Sequence, residues 1–126
     1  MRAVDTNVLV RLLTRDEPKQ VAVADAFVQH GAWVSVLALA EAMWVLVAVY
    51  ERDAAQVARA VEMLLNHQHI TLQEPEAVAA ALETFRRRPT LGFSDCLLVE
   101  LARKAGHLPL GTFDRNLSKV DGAVRL

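Results

Sequence analysis

Apolar residues recur at helical spacing in some stretches and as short runs in others, and the alternation predicts strands and helices in turn. Arg2 to Val4 reads as a strand. Val4, Val8, Leu9, Leu12 and Leu13 follow helical spacing around a cap at Asp5 or Thr6, so that strand runs straight into a helix. Asp16-Glu17-Pro18 opens a second helix to about Gln29, with Val21, Ala24, Phe27 and Val28 on one face and Gly31 as its stop. Trp33 and Val34 make a second strand ahead of a helix containing Glu41, Asp53 caps a fourth helix to about Asn66, and Ile70 to Leu72 is a third strand. Glu74-Pro75-Glu76 opens an Ala-rich helix to about Arg87, which Pro89 breaks. Phe93 or Ser94 begins another, closed by Gly106 after Ala105. Leu108 to Leu110 and Ala123 to Arg125 supply two last strands. Strands alternating with helices of this length imply an α/β fold. Its sheet is expected to be parallel and covered on both faces, joined by right-handed crossovers.

Glu41 breaks the pattern. It is the only charged residue between Gly31 and Tyr50, and its helical neighbours are Leu37, Ala38, Trp44 and Val45. A carboxylate on an apolar face is costly unless paired, protonated or bound to a metal. The stretch from 32 to 50 approaches the roughly 20 apolar residues of a membrane helix, but Glu41 would lie near mid-bilayer and Ser35 interrupts the run, so no membrane span is expected.

The chain has 126 residues, the size of one domain spanning 1–126 with a core that needs no staples. Cys96 is the only cysteine, which excludes an intrachain disulfide and a thiolate metal site. It is expected to be a small buried hydrophobe in a reducing, cytoplasmic setting. The first residues lack the layout of a signal peptide, in keeping with that setting. A hydrophobic share of 53% points to surface buried against a partner, a second copy or a bound helix. The net charge of −1 offers no global attraction to nucleic acid, so any such binding must come from local cationic patches and bound cations.

Four acids stand where a parallel sheet would gather them. Asp5 follows the first strand and Asp114 the fourth, Glu41 lies in a helix and Asp95 opens one. Ligands of open α/β sheets collect beyond the carboxyl ends of the strands where strand order reverses, so neighbouring first and fourth strands would place Asp5 and Asp114 in one crevice. An oxygen-only cluster suits Mg²⁺ or Mn²⁺. Each acid also has a plainer role open to it: Asp5 as a helix cap, Asp95 as a favourable charge at a helix start, Asp114 with Asn116 as a polar turn.

Asp5-Thr6-Asn7-Val8-Leu9, the lone Glu41, Phe93-Ser94-Asp95-Cys96-Leu97 and Gly111-Thr112-Phe113-Asp114-Arg115 together resemble the four signature stretches of a PIN domain. The small size resembles the VapC-type toxins of toxin–antitoxin pairs. The resemblance implies a three-layer α/β/α sandwich with strand order 3-2-1-4-5 and a Mg²⁺- or Mn²⁺-dependent endoribonuclease leaving a 5′-phosphate. It further implies a homodimer held in check by a cognate antitoxin protein. Carried over residue by residue, Asp5, Glu41 and Asp95 would be the main catalytic and metal-binding acids and Asp114 the fourth. Thr6 and Thr112 would supply hydroxyls, and Asn7 a hydrogen bond orienting Asp5. Many relatives carry another acid two residues after the fourth, where this chain has Asn116, a neutral oxygen donor.

RNA would be guided by Arg11, Arg86, Arg87, Arg88, Arg115 and Lys119, and unpaired or loop RNA is the expected substrate because a shallow acidic crevice admits an unpaired segment more easily than an A-form duplex. The triple-arginine run also suits a helix C-terminus electrostatically, whatever the function. His30, His67, His69 and His107 have no ligand spacing that fits the acids, and Trp33, Trp44 and Phe85 read as core or dimer contacts. Two rivals remain. One is a phosphatase like the haloacid dehalogenases, whose Asp-x-Asp motif this chain departs from at Asn7; the other is a non-catalytic binding module of PIN fold.

Overall fold

A computed structural model describes Met1–Leu126 as two compact units, Met1–Pro75 and Glu76–Leu126. The first contains β1 (Arg2–Ala3), α1 (Thr6–Thr14), α2 (Pro18–Val28), β2 (Ala32–Val34), α3 (Val36–Ala48), α4 (Ala54–Asn66) and β3 (Ile70–Leu72). Its sheet runs in the order β1-β2-β3, all parallel, with Ala3 beside Trp33 and Trp33 beside Thr71. Val4 N–H donates to the Trp33 carbonyl at 3.1 Å, so the pairing of β1 runs one residue past the strand itself.

Side-chain alternation explains the core of this unit. Ala32, Val34, Ile70 and Leu72 point inward and are buried, while Trp33 and Thr71 between them are exposed. Cover on both faces was expected, and along the row Ala3–Trp33–Thr71 it is incomplete, Trp33 being 37% exposed. Trp33 and, at 66% exposure, Trp44 are therefore not core residues. Helix α1 buries Leu9, Val10 and Leu12 and packs on α2 and α3. Asp53 caps α4 through a reciprocal pair with Gln56, satisfying donors that a helix start leaves open.

A polar tie joins the ends of α1 and α3. Arg11 donates through Nη1 to Asp16 at 2.8 Å and to the Tyr50 hydroxyl at 3.0 Å, and through Nε to Gln20 at 2.7 Å. The hydroxyls of Thr14 and Tyr50 also donate to Asp16, at 2.8 and 2.9 Å. These bonds, that from Thr14 first, hold the Asp16 carboxyl below its ordinary pKa. A carboxyl depressed in the folded state contributes stability above its unfolded pKa and loses it as pH falls through the folded value. The melting temperature of the parent should therefore drop more steeply than that of Asp16→Asn below about pH 4. Parallel melting curves for the two proteins across that range would show that the tie carries no charge-dependent stability.

The second unit contains α5, which spans Pro75–Arg87, then α6 (Phe93–Ala105), β4 (Leu110–Thr112), a short 3-10 turn at Leu117–Lys119 and β5 (Ala123–Arg125). Phe85 and Phe93 meet edge to face with ring centroids 6.0 Å apart, beside buried Leu82, Cys96, Leu97 and Val99. Cys96 is the buried hydrophobe its sequence setting suggests, and burial pushes its thiol up to about 11. Gly106 ends α6 at φ +82°, a left-handed conformation that a Cβ disfavours.

The α/β class and the parallel pairing agree with the sequence pattern, while the strand details differ in two ways. The fourth strand begins at Leu110 rather than Leu108, because Pro109 has no N–H for a ladder; the first bond to its neighbour's flank is Leu110 N–H to Gly122 O at 2.8 Å. The expected single sheet in the order 3-2-1-4-5 is found as two ladders, β1-β2-β3 and β4-β5. Strand β1 has two residues, too few to carry an extensive ladder.

Candidate active site

In the first unit, Asp5 ends the short run after β1 and caps α1: its Oδ1 accepts from Val8 N–H at 3.1 Å. The plain capping role is thus real, and it orients the carboxylate. The hydrogen bond that holds Asp5 comes from the Val8 backbone, whereas the expectation had assigned it to Asn7. Asn7 instead lines a groove between α1 and α2 with Val8, Arg11, Lys19, Val23 and Phe27. One residue into the helix, the Thr6 hydroxyl donates to Glu41 Oε2 at 2.9 Å, across 35 positions of sequence. The packing of α1 on α3 makes that link possible.

Glu41 differs from its sequence reading. It was expected to be a carboxylate stranded on a dry apolar face, yet it is exposed. Helix α3 buries Ala38, Leu39, Ala42, Met43 and Leu46 on the opposite side, leaving Glu41 on a wet stripe with Leu37 and Trp44. Solvation therefore removes the desolvation cost.

In the second unit, Asp95 lies in the first turn of α6, whose N-cap is Gly92 and has no side-chain cap. Its carboxyl is raised above the ordinary value, first by partial burial and then by the negative charge of Asp114. The two acids are thus close enough to repel. Asp114 closes the loop after β4 as a polar turn, its Oδ1 accepting from Asn116 N–H at 2.8 Å and Leu117 N–H at 3.0 Å. The Thr112 hydroxyl accepts from Asp114 N–H at 3.0 Å. Asn116 uses its side-chain amide to donate to the Thr90 hydroxyl at 3.1 Å.

A family model for the PIN domain matches residues 2–123. The chain belongs to the PIN-domain family. No curated protein and no solved structure matches it. The PIN fold is a nuclease fold, and the match spans all four acids that the sequence singles out.

Of the four acids singled out in the sequence, Asp5 and Glu41 lie in the first unit, where Glu41 is bound by Thr6, and Asp95 and Asp114 lie in the second. No group of three or more His, Cys, Asp or Glu side chains is arranged to hold a metal ion. The chemistry of the donors nevertheless suits one. All four are hard oxygen ligands, and the repulsion that Asp95 feels from Asp114 is of the kind that a divalent cation relieves. Waters and substrate oxygens would complete its coordination, as hard cations commonly require.

Among the expected RNA-guiding cations, Arg11 is taken up by Asp16, Tyr50 and Gln20 and acts as a structural tie. Arg86 and Arg87 lie in the last turn of α5 with Arg88 just beyond, Arg115 in the loop after Asp114, and Lys119 at the end of the 3-10 turn. Sequence reasoning missed Thr90. Its only signal was a hydroxyl in the Pro-Thr-Leu-Gly loop five residues before Asp95. It also missed Phe113, an aromatic next to Asp114 that is 82% exposed.

Proposed function

We propose that this PIN-domain protein is a Mg²⁺- or Mn²⁺-dependent endoribonuclease that cuts single-stranded or loop RNA as the toxin of a toxin–antitoxin pair. The carrying observation is the PIN-domain match over residues 2–123, which spans Asp5, Glu41, Asp95 and Asp114. Asp5, Glu41, Asp95 and Asp114 are the residues that would hold the cation. When bound, it supplies an activated water and neutralises charge developing on the phosphate.

The chain's own groups do the orienting. Val8 N–H fixes one oxygen of Asp5, Thr6 fixes one of Glu41, and two backbone N–H groups fix Asp114. Arg86, Arg87, Arg88, Arg115 and Lys119 would draw the RNA backbone, offsetting the repulsion between the acids and a polyanion. The exposed stripe of Leu37, Trp44 and Val47 on α3 supports a homodimer, and the groove between α1 and α2 supports an antitoxin segment as its occupant. No helix is long and apolar enough to cross a membrane. With its lone buried thiol, the chain suits a cytoplasmic site of action.

Purified protein should cut a single-stranded RNA with Mg²⁺ or Mn²⁺ and leave it whole in EDTA. Cleavage that persists in EDTA, or none with either ion, overturns the reading. The toxin role is checked separately: expression of the intact chain alone should arrest growth, and expression of Asp5→Asn should not.

A further inference from the structure

Asn116 sits two residues beyond Asp114, and its side chain reaches back 26 positions in sequence. Its Nδ2 donates to Thr90 Oγ1 at 3.1 Å. Thr90 lies in the loop that leads into α6, five residues before Asp95, and the following Leu91 is buried with its N–H bonded to Arg88 O at 3.0 Å. On the other side, Leu117 is buried next to Asn116 and donates its N–H to Asp114 Oδ1 at 3.0 Å. Each end of the Asn116–Thr90 bond is therefore anchored by a buried leucine. The bond joins the loop carrying one acid to the loop that starts the helix of the other.

We propose that Asn116 is a positioning residue: through Thr90 it straps the Asp114 loop to the head of α6 and so sets the spacing of Asp114 and Asp95. The use of that spacing for a divalent cation rests on the nuclease reading above. In this role Asn116 acts through its two N–H donors, the amide Nδ2 to Thr90 and the backbone N–H to Asp114, and its Oδ1 takes part in neither bond. A threonine hydroxyl that accepts this bond can be removed with little change of shape by valine, and restored by serine. Both Asn116 and Thr90 are exposed, so their substitution leaves the core intact.

The strap is tested first without metal, by amide hydrogen exchange at Asn116 and Leu117, the two donors to the Asp114 carboxylate. Thr90→Val and Asn116→Ala should each raise exchange at Leu117 about fivefold, the worth of one exposed hydrogen bond. Thr90→Ser should return it to the parent rate, and the double variant Thr90→Val/Asn116→Ala should exchange no faster than either single one. Unchanged exchange in Thr90→Val, or additive effects in the double variant, overturns the proposal. Titration with Mn²⁺ alone then reads the use of the spacing. Each single variant should bind about tenfold more weakly than the parent, as is common when a partner that orients a ligand is lost. Where the parent binds Mn²⁺, equal affinity in Thr90→Val also overturns it. A parent that binds no Mn²⁺ while exchange responds as expected removes the metal-dependent nuclease reading and leaves the strap standing.

Discussion

Asp95→Asn should slow RNA cleavage a hundredfold or more while leaving the fold intact. Burial first and Asp114 second raise the Asp95 carboxyl above its ordinary value. On the nuclease reading, Asp95 and Asp114 help to hold the cation, and removing one charged ligand from a site that stabilises developing charge costs on the order of 10²–10³ in rate. Asn is close in shape and Asp95 makes no cap bond, so α6 keeps its start. Asp5→Asn serves as the matched control in the other unit. Asn caps a helix about as well as Asp, so Val8 N–H keeps an acceptor while the charge goes. Both variants should show the parent's circular dichroism and little cleavage in Mn²⁺. Rates within threefold of the parent for both, after exclusion of contaminating nuclease, would refute the roles given to these acids.

Two leucines of one helix should behave very differently. Leu39 in α3 is 1% exposed, and Leu39→Ala is expected to cost about 2–5 kcal/mol through lost burial and the cavity left behind. That is a large part of the roughly 5–15 kcal/mol that holds a domain together, so melting should fall by roughly 10 °C or more. Leu37, two residues earlier, is 66% exposed, and Leu37→Ala should move stability by no more than about 0.5 kcal/mol in dilute protein. The pair isolates burial from chemistry, since the same atoms are removed from the same helix. A thermal melt in which both variants shift equally would mean that α3 does not bury the face described.

Most of what chooses the elements is local and could be read directly. Periodic apolar residues, Pro18 at a helix start, the cap at Asp53 and the stop at Gly106 each act within a few residues, and all appear where their local chemistry places them. The motif stretches around Asp5, Asp95 and Asp114 were legible for the same reason: cap, helix start and turn are short-range structures, and their acids lie where those structures end. The α/β class followed from the order of the elements.

Glu41 shows where local reading stops. An apolar stretch says that a helix needs burial, but not which face obtains it; only the packing of α3 decided that Leu39 goes inside while Leu37, Glu41 and Trp44 stay in water. Arg11 is similar. Its charge was visible, but its partners Tyr50 and Asp16 come from α3's end and the α1–α2 turn, so their meeting needed the folded chain. The Thr90–Asn116 bond had no signature at all, because a hydroxyl and an amide 26 residues apart become partners only when two loops meet. The sequence by itself thus determined the elements and the class, since those depend on near neighbours and residue chemistry. Tertiary structure alone decided solvent exposure, the pairing of Thr6 with Glu41 and the setting of Asp114 against Asp95, since those depend on distances between residues far apart along the chain.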